Sequence, residues 1–202
     1  MHRNKKAVAG AVKINMELKG KTIVLGVTGG IAAYWAAEII GVLRDREASV
    51  HVLMTENATH FITPLTLQTL SKNKVITNMF EVPADLDVGH ITYAQKADLI
   101  LVAPATANFI GKVANGIADD MLTTTIMATK SPVFIVPAMN ENMWKNNIVQ
   151  KNVATLRREG YKIINPSYGK MACGGEGEGT FADIEKILKE IEEFGLFKTK
   201  NI

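Results

Sequence analysis

Short β-branched runs, each followed by a turn and then by apolar residues at helical spacing, recur along this sequence. Lys21 to Val27 (KTIVLGV) ends in Thr28-Gly29-Gly30 and passes into IAAYWAAEIIGVLRD. Ala48 to Met54 (ASVHVLM) meets Thr55-Glu56-Asn57, which reads as a cap opening a helix near Ala58. Leu99 to Ala103 leads into Pro104, Ala105, Thr106, Ala107 and Asn108, and Pro132 to Val136 (PVFIV) delivers Pro137-Ala138-Met139-Asn140. No hairpin signature separates these runs, and their unbroken Val, Ile and Leu content belongs to strands covered on both faces. The predicted fold class is α/β: a single three-layer Rossmann- or flavodoxin-like domain with a parallel sheet of five or six strands.

The 202 residues fit one such domain, placed at 21–195 between an N-terminal arm (1–20) and a C-terminal tail (196–202). A hydrophobic share of 47% against 21% charged supports a sizeable core. Net charge is +3, and outside His2, Arg3, Lys5 and Lys6 the cations are scattered, so no basic stripe suggests a nucleic-acid partner. No run reaches the roughly 18 apolar residues of a membrane span. Lys13, Asn15 and Glu17 break the arm where a signal peptide needs an apolar core. The single cysteine, Cys173, excludes an intrachain disulfide and a multi-cysteine metal site, and suits a cytoplasmic setting. Asp119 and Asp120 read as the cap of a helix over Asp119 to Thr129, and no metal is expected.

Ligands of such sheets gather outside the carboxyl ends of the strands, where helix starts offer unpaired N–H groups. Gly29 and Gly30 permit close backbone approach to an anion, or simply a tight turn. The GxGxxG fingerprint and its acidic ribose partner are missing, which disfavours an NAD-binding domain. Thr55 can turn its hydroxyl toward the same ligand as Thr28. Ala105 to Ala107 are small enough for backbone contact, and Thr106 and Asn108 can hydrogen-bond at its edge; the same residues also suit a plain helix cap. His90 follows a surface loop, Phe80 to Val88, and precedes the third run, so a base is expected beside the cradle. Asn140 can donate to a carboxylate, with Met143 and Trp144 as apolar walls. His51 is taken as packed or at the surface, and Lys74 to Thr77 as a short edge strand. Pro166 to Thr180 holds five glycines in fifteen residues and reads as a flexible lid. Cys173 within it is either inert or a reactive, proton-donating thiol. Phe181 to Phe194 closes the chain as an amphipathic helix.

Seven motifs in register, TGGIAAY, FITPLTLQTLS, GHI, ADLILVAPATANFIGK, GIADD, PAMNENMW and ACGGEGEG, closely resemble the flavin-dependent cysteine decarboxylases, from about Lys21 to about Leu188. The likeness is strongest to the branch serving coenzyme A synthesis. The resemblance implies bound FMN, with Gly29, Gly30, Ile31 and Thr55 around its phosphate side and Thr106, Ala107, Asn108, Phe109 and Ala138 at the flavin. It implies His90 as active-site base, Asn140 holding the substrate carboxylate, Met143 shaping that pocket and Cys173 as proton donor. The implied substrate is 4′-phospho-N-pantothenoylcysteine, oxidised at its cysteinyl C–S unit so that carbon dioxide leaves readily, and the product is 4′-phosphopantetheine. A homotrimer, sometimes a dodecamer, is implied too, with the flavin at a subunit contact and some groups supplied by a neighbouring chain. So is a phosphopantothenate-cysteine ligase, fused or separate. Two departures stand out. Thr180-Phe181-Ala182-Asp183 replaces an Arg or Met-Ala-Glu-Pro-like run, and Trp35 replaces a frequent lysine, at a surface or subunit contact. The alternatives are a peptidyl-cysteine decarboxylase of peptide modification, for which KMACGGEGEG is a poorer match, and a non-catalytic regulatory subunit of the same fold. A flavin prenyltransferase would leave PAMN and ACG without a role.

Overall fold

The computed structural model describes residues 16–80, 89–170, 172 and 174–197. Four of the apolar runs become parallel strands: β1 (Thr22–Val27), β2 (Ser49–Met54), β3 (Leu99–Ala105) and β4 (Val133–Pro137). A two-residue β5 (Lys162–Ile163) completes a sheet of order β2-β1-β3-β4-β5. The chain steps outward from β1 to β2 and then returns to the other side of β1, so neighbouring connections leave β1 and β3 in opposite directions. That is the flavodoxin-like arrangement, and it opens a crevice where β1 and β3 end.

Alternation along β1 decides which layer each helix joins. Ile23, Leu25 and Val27 point into one core with α1 (Trp35–Asp45) through Ala36, Ile39, Ile40 and Leu43. Val24 points the other way, into a second core with α4 (Ala107–Ala114) and α5 (Met121–Ala128). Burying each leucine or isoleucine in these layers stabilises by about 1.5–3 kcal/mol. Between β2 and β3 lie α2 (Pro64–Ser71) and α3 (Gly89–Lys96). After β4 come α6 (Glu141–Trp144) and α7 (Asn147–Arg158), and α8 (Ile184–Glu193) buries Ile187, Leu188 and Ile191 in the α1 layer.

Several expectations change in detail. Glu56–His60 forms only a 3₁₀ turn, and the true helix begins after Thr63, whose side chain accepts from Thr66 N, with Pro64 in the first turn. Lys74 to Thr77 reduces to a single parallel bridge between Leu53 and Ile76. Asp120 caps α5 through a reciprocal box with Thr123, so that helix starts at Met121 and not at Asp119. The glycine-rich Pro166 to Thr180 segment is not a plain loop, because β6 (Ser167–Lys170) and β7 (Glu176–Thr180) pair as an antiparallel hairpin. The packed body is also wider than 21–195: Met16, Leu18 and Phe197 are buried in the α1 layer. The rest of the N-terminal arm, most of the loop before His90, Cys173 and the tail from Lys198 lie outside the described residues.

Candidate active site

The crevice floor is laid down where β1 hands over to the next turn. Thr28 is buried, and its hydroxyl donates to Pro104 O at 2.8 Å while accepting from Thr106 N at 2.9 Å. Both of its roles are thus spent joining the ends of β1 and β3, where β3 carries an irregularity between Val102 and Ala105. Thr28 therefore braces the floor and does not face a ligand, contrary to its expected pairing with Thr55. Gly29 follows, and a Cβ there would overlap Asn57 Cβ and crowd the Asn57 carbonyl carbon at 2.7 Å. Only glycine lets the turn after β1 lie against the turn after β2.

Two unpaired donor sets flank this floor. The N–H groups of Ile31 and Ala32 open the 3₁₀ turn Ile31–Tyr34, and those of Ala107 and Asn108 open α4; none bonds to a described residue. Thr106 caps α4, its hydroxyl accepting from Phe109 N at 3.3 Å. Thr55 Oγ1 is buried with no hydrogen-bond partner. Such an orphaned hydroxyl costs about 1–3 kcal/mol unless something polar meets it.

The opposite wall comes from the end of β4. Ala138 N donates to Ala105 O at 3.1 Å, carrying the chain across to Asn140, whose Oδ1 accepts from Asn142 N at 2.9 Å and caps α6. The hairpin docks here: Met139 N donates to Gly179 O at 2.9 Å. Gly179 has φ +124, and a Cβ on it would run into Met139 O. Glu141 accepts from Glu178 N at 3.4 Å and pairs with Lys145 at 2.7 Å, and Lys145 reaches Glu178 at 3.8 Å. The Lys145 ammonium, and after it the Glu178 N–H, hold the Glu141 carboxyl below its ordinary range.

Floor, wall and hairpin enclose a cavity of about 500 Å³. Of the sequence-predicted residues, Gly29, Gly30, Ile31, Thr106, Ala107, Ala138, Asn140 and Met143 line it. Thr55, Asn108, Phe109 and His90 do not. Phe109 is turned into the second core with Ile110 and Val113, because α4 buries that stripe and leaves Asn108 outward. His90 stands in the first turn of α3, whose Tyr93 and Ala94 face the α5 side of the sheet. A helix, not a short link, connects it to β3, and His90 is not among the residues that line the cavity. His51 is half-buried, close to the Tyr93 ring, and burial and then Lys96 lower its pKa. Among the described residues no group of three or more His, Cys, Asp and Glu could hold a metal.

Sequence reading missed an aromatic and basic part of the lining. Trp35, expected at a surface or subunit contact, lines the cavity and stacks on Phe181 at 5.9 Å and 16°, with Tyr34 behind it at 5.3 Å and 30°. Lys170, at the end of β6, completes that side. The position of Tyr34 and Trp35 one short turn after Thr28-Gly29-Gly30 was the available signal.

This architecture, a doubly wound sheet with a glycine-cradled crevice at its switch point, is that of a flavoprotein-type α/β domain. The chain belongs to the Flavoprotein family, whose model matches residues 12–195. It is 45% identical over 179 residues to the coenzyme A biosynthesis bifunctional protein CoaBC of Haemophilus influenzae, covering 89% of this chain and 45% of that protein. The chain thus spans less than half the length of that relative. Among solved structures it is similar to a cysteine-to-serine PPC decarboxylase mutant complexed with pantothenoylaminoethenethiol, at TM-score 0.76 and 28% identity, covering 87% of this chain and 98% of that one. It is similar also to the FMN-dependent cysteine decarboxylase SpaF, at TM-score 0.75 and 30% identity over 87% of this chain and 99% of that one.

Proposed function

We propose that this chain is an FMN-dependent carboxy-lyase converting 4′-phospho-N-pantothenoylcysteine to 4′-phosphopantetheine in coenzyme A synthesis, in the cytoplasm. The observation that carries the reading is the convergence on one cavity of the Gly29-Gly30 turn, the Thr106 cap and Asn140, beneath a hairpin seated on Asn140's own loop. The similarity to CoaBC and to PPC decarboxylase supports this choice of substrate.

The residues present fit FMN. Unpaired N–H groups at two turn starts suit its phosphate and its polar ring edge, and Thr55, directly after β2, carries a buried hydroxyl with no protein partner. Bound there, FMN supplies the electron sink that a cysteine amide lacks. The chain positions and shields. Asn140, anchored through its Oδ1 at the α6 cap, presents its amide N–H₂ to the substrate carboxylate and fixes the angle at which carbon dioxide departs. Met143 supplies an apolar side to that pocket. The hairpin shuts water out, and Cys173, which falls between β6 and β7 in the sequence, delivers the proton to the enethiolate. His90 acts as base in the crevice of an adjacent subunit of a homotrimer, which accords with its place away from its own cavity. The substrate comes from a phosphopantothenate-cysteine ligase activity, and the relative CoaBC is named a bifunctional protein of coenzyme A biosynthesis.

The test is to incubate purified protein with 4′-phospho-N-pantothenoylcysteine, following mass and visible spectrum together. Loss of carbon dioxide from a yellow protein is the expected result. A yellow protein that decarboxylates only a cysteine-terminated peptide would move the reading to peptide modification. A colourless protein unable to take up FMN would overturn it.

A further inference from the structure

One ionisable side chain of the packed body has no task in this reading. Along β2, Val50, Val52 and Met54 point into the α1 layer, so His51 and Leu53 face the other. Among the described residues of the five strands, His51 is the one ionisable side chain on that second face. It lies half-buried against Tyr93 of α3, ring centroids 5.6 Å apart and planes at 53°, with Ser49 Oγ 3.3 Å from its Nε2. His90, Tyr93 and Lys96 follow at three-residue spacing, so they stand turn after turn on neighbouring positions of α3. We propose that His51 is a positioning residue for His90: its neutral ring is the seat that fixes the rotation of α3 through Tyr93, and a proton on that ring unseats the helix. The inference rests on the decarboxylase reading above, in which His90 is the base.

The other attachments of α3 hold its far end. Ala94 is buried and its carbonyl accepts from Thr129 Oγ1 at 2.9 Å, while Ala97 O accepts from Ser131 Oγ at 2.5 Å. The first turn, with His90, therefore takes its aim from the large side chain between, Tyr93, which packs on the second core. The groups around the His51 ring set its charge. Lys96 acts on it from α3, Lys74 stands level with it on the segment that bridges to Leu53 through Ile76, and β1 offers Val24 opposite. Helix α5 carries no ionisable side chain, and Asp98, two residues before Ile100, is committed to Lys21 and the Thr22 N–H. Burial first, and then Lys96, hold His51 below its ordinary value of 6.5. A lowered folded value means that the seat is complete above pH 6.5 and is lost as pH falls through the lowered value.

The experiment follows amide exchange in the intact, FMN-loaded protein from about pH 8 to about pH 5, with kcat and KM on 4′-phospho-N-pantothenoylcysteine at the upper end of that range. The Ala97 amide, bonded to Tyr93 O, reports α3, and the Thr106 amide reports the crevice floor. In the unaltered protein, protection at Ala97 should fall as pH drops below 6.5, after correction for intrinsic rates, while Thr106 holds. His51→Ala should lower kcat by about tenfold, with KM and FMN affinity unmoved. His51→Phe, which keeps a ring against Tyr93 and takes no proton, should recover most of that kcat and flatten the pH dependence at Ala97. A parent-like kcat in His51→Ala overturns the inference while leaving the reaction standing. So does a pH dependence at Ala97 that survives in His51→Phe, or a loss carried by KM or FMN affinity. Absence of turnover by the unaltered protein overturns the decarboxylase reading itself, and this inference with it.

Discussion

Floor and cover of the crevice are built on opposite terms. In the floor, every polar group of Thr28 is used, the turn after β1 presses on Asn57, and strands packed on both faces hold the arrangement from below. The cover is a short, largely exposed hairpin, seated by one backbone bond to Met139 and by the Glu141, Lys145 and Glu178 group. A floor of the first kind is set before any ligand arrives. A cover of the second kind can leave without disturbing the core, as elements that admit and release ligands must.

A matched pair of glycine substitutions gives the sharpest separation. Gly29→Ala places a methyl against Asn57 backbone and side chain, inside the floor. We expect a colourless protein, no turnover, and a melting temperature lower by roughly 5–10 °C, from an overpacking cost of about 1–3 kcal/mol or somewhat more. Gly179→Ala strikes the cover, through both its positive φ and the clash with Met139 O. Here turnover should fall about 100-fold by misplacement of the hairpin, while flavin retention and melting temperature stay close to the parent. Should Gly179→Ala lose flavin and stability as Gly29→Ala does, the distinction between floor and cover fails.

Thr28→Val asks less of the floor. It removes a buried hydroxyl that both donates and accepts, leaving Thr106 N without its acceptor and Pro104 O with the Thr28 N–H alone, at a cost of about 1–3 kcal/mol. A melting temperature lower by about 3–10 °C is expected in a differential scan. A change under about 1 °C would mean that water replaces the bridge and the floor is looser than its hydrogen bonds suggest.

What could be read from the sequence divides along the same line. The floor was legible because Thr28-Gly29-Gly30, Thr106-Ala107 and Ala138-Asn140 each interrupt a strong apolar run, and turn chemistry at a strand end is local. The direction of the Thr28 hydroxyl was not, since its partners lie more than seventy residues away. The cover was misread as a loop because EGEGT has almost no strand propensity. Its pairing comes from cross-strand register, Gly169 opposite Gly177 and Lys170 opposite Glu176, and glycine at 179 is what allows the docking. The Trp35–Phe181 stack and the helical setting of His90 depend on which layer each helix joins, which no single segment encodes.

The smallest effect probes the cover's ionic seat. Glu141 is held below its ordinary carboxyl value of 4.5, first by its bond to Lys145 and then by the Glu178 N–H. A lowered folded value means that the carboxylate's contribution to docking is complete above the ordinary glutamate range and fades as pH drops through the lowered value, below 4.5. Amide exchange at Glu178 should therefore quicken, after correction for intrinsic rates, as pH falls below 4.5, while the Thr106 amide, bonded to Thr28 in the floor, holds its protection. Glu141→Gln should flatten that dependence and leave turnover at neutral pH within about twofold, because exposed ion pairs contribute little and salt screens them. Parallel loss of protection at Thr106 and Glu178 on acidification would show that floor and cover open together, and the two would then count as one cooperative unit.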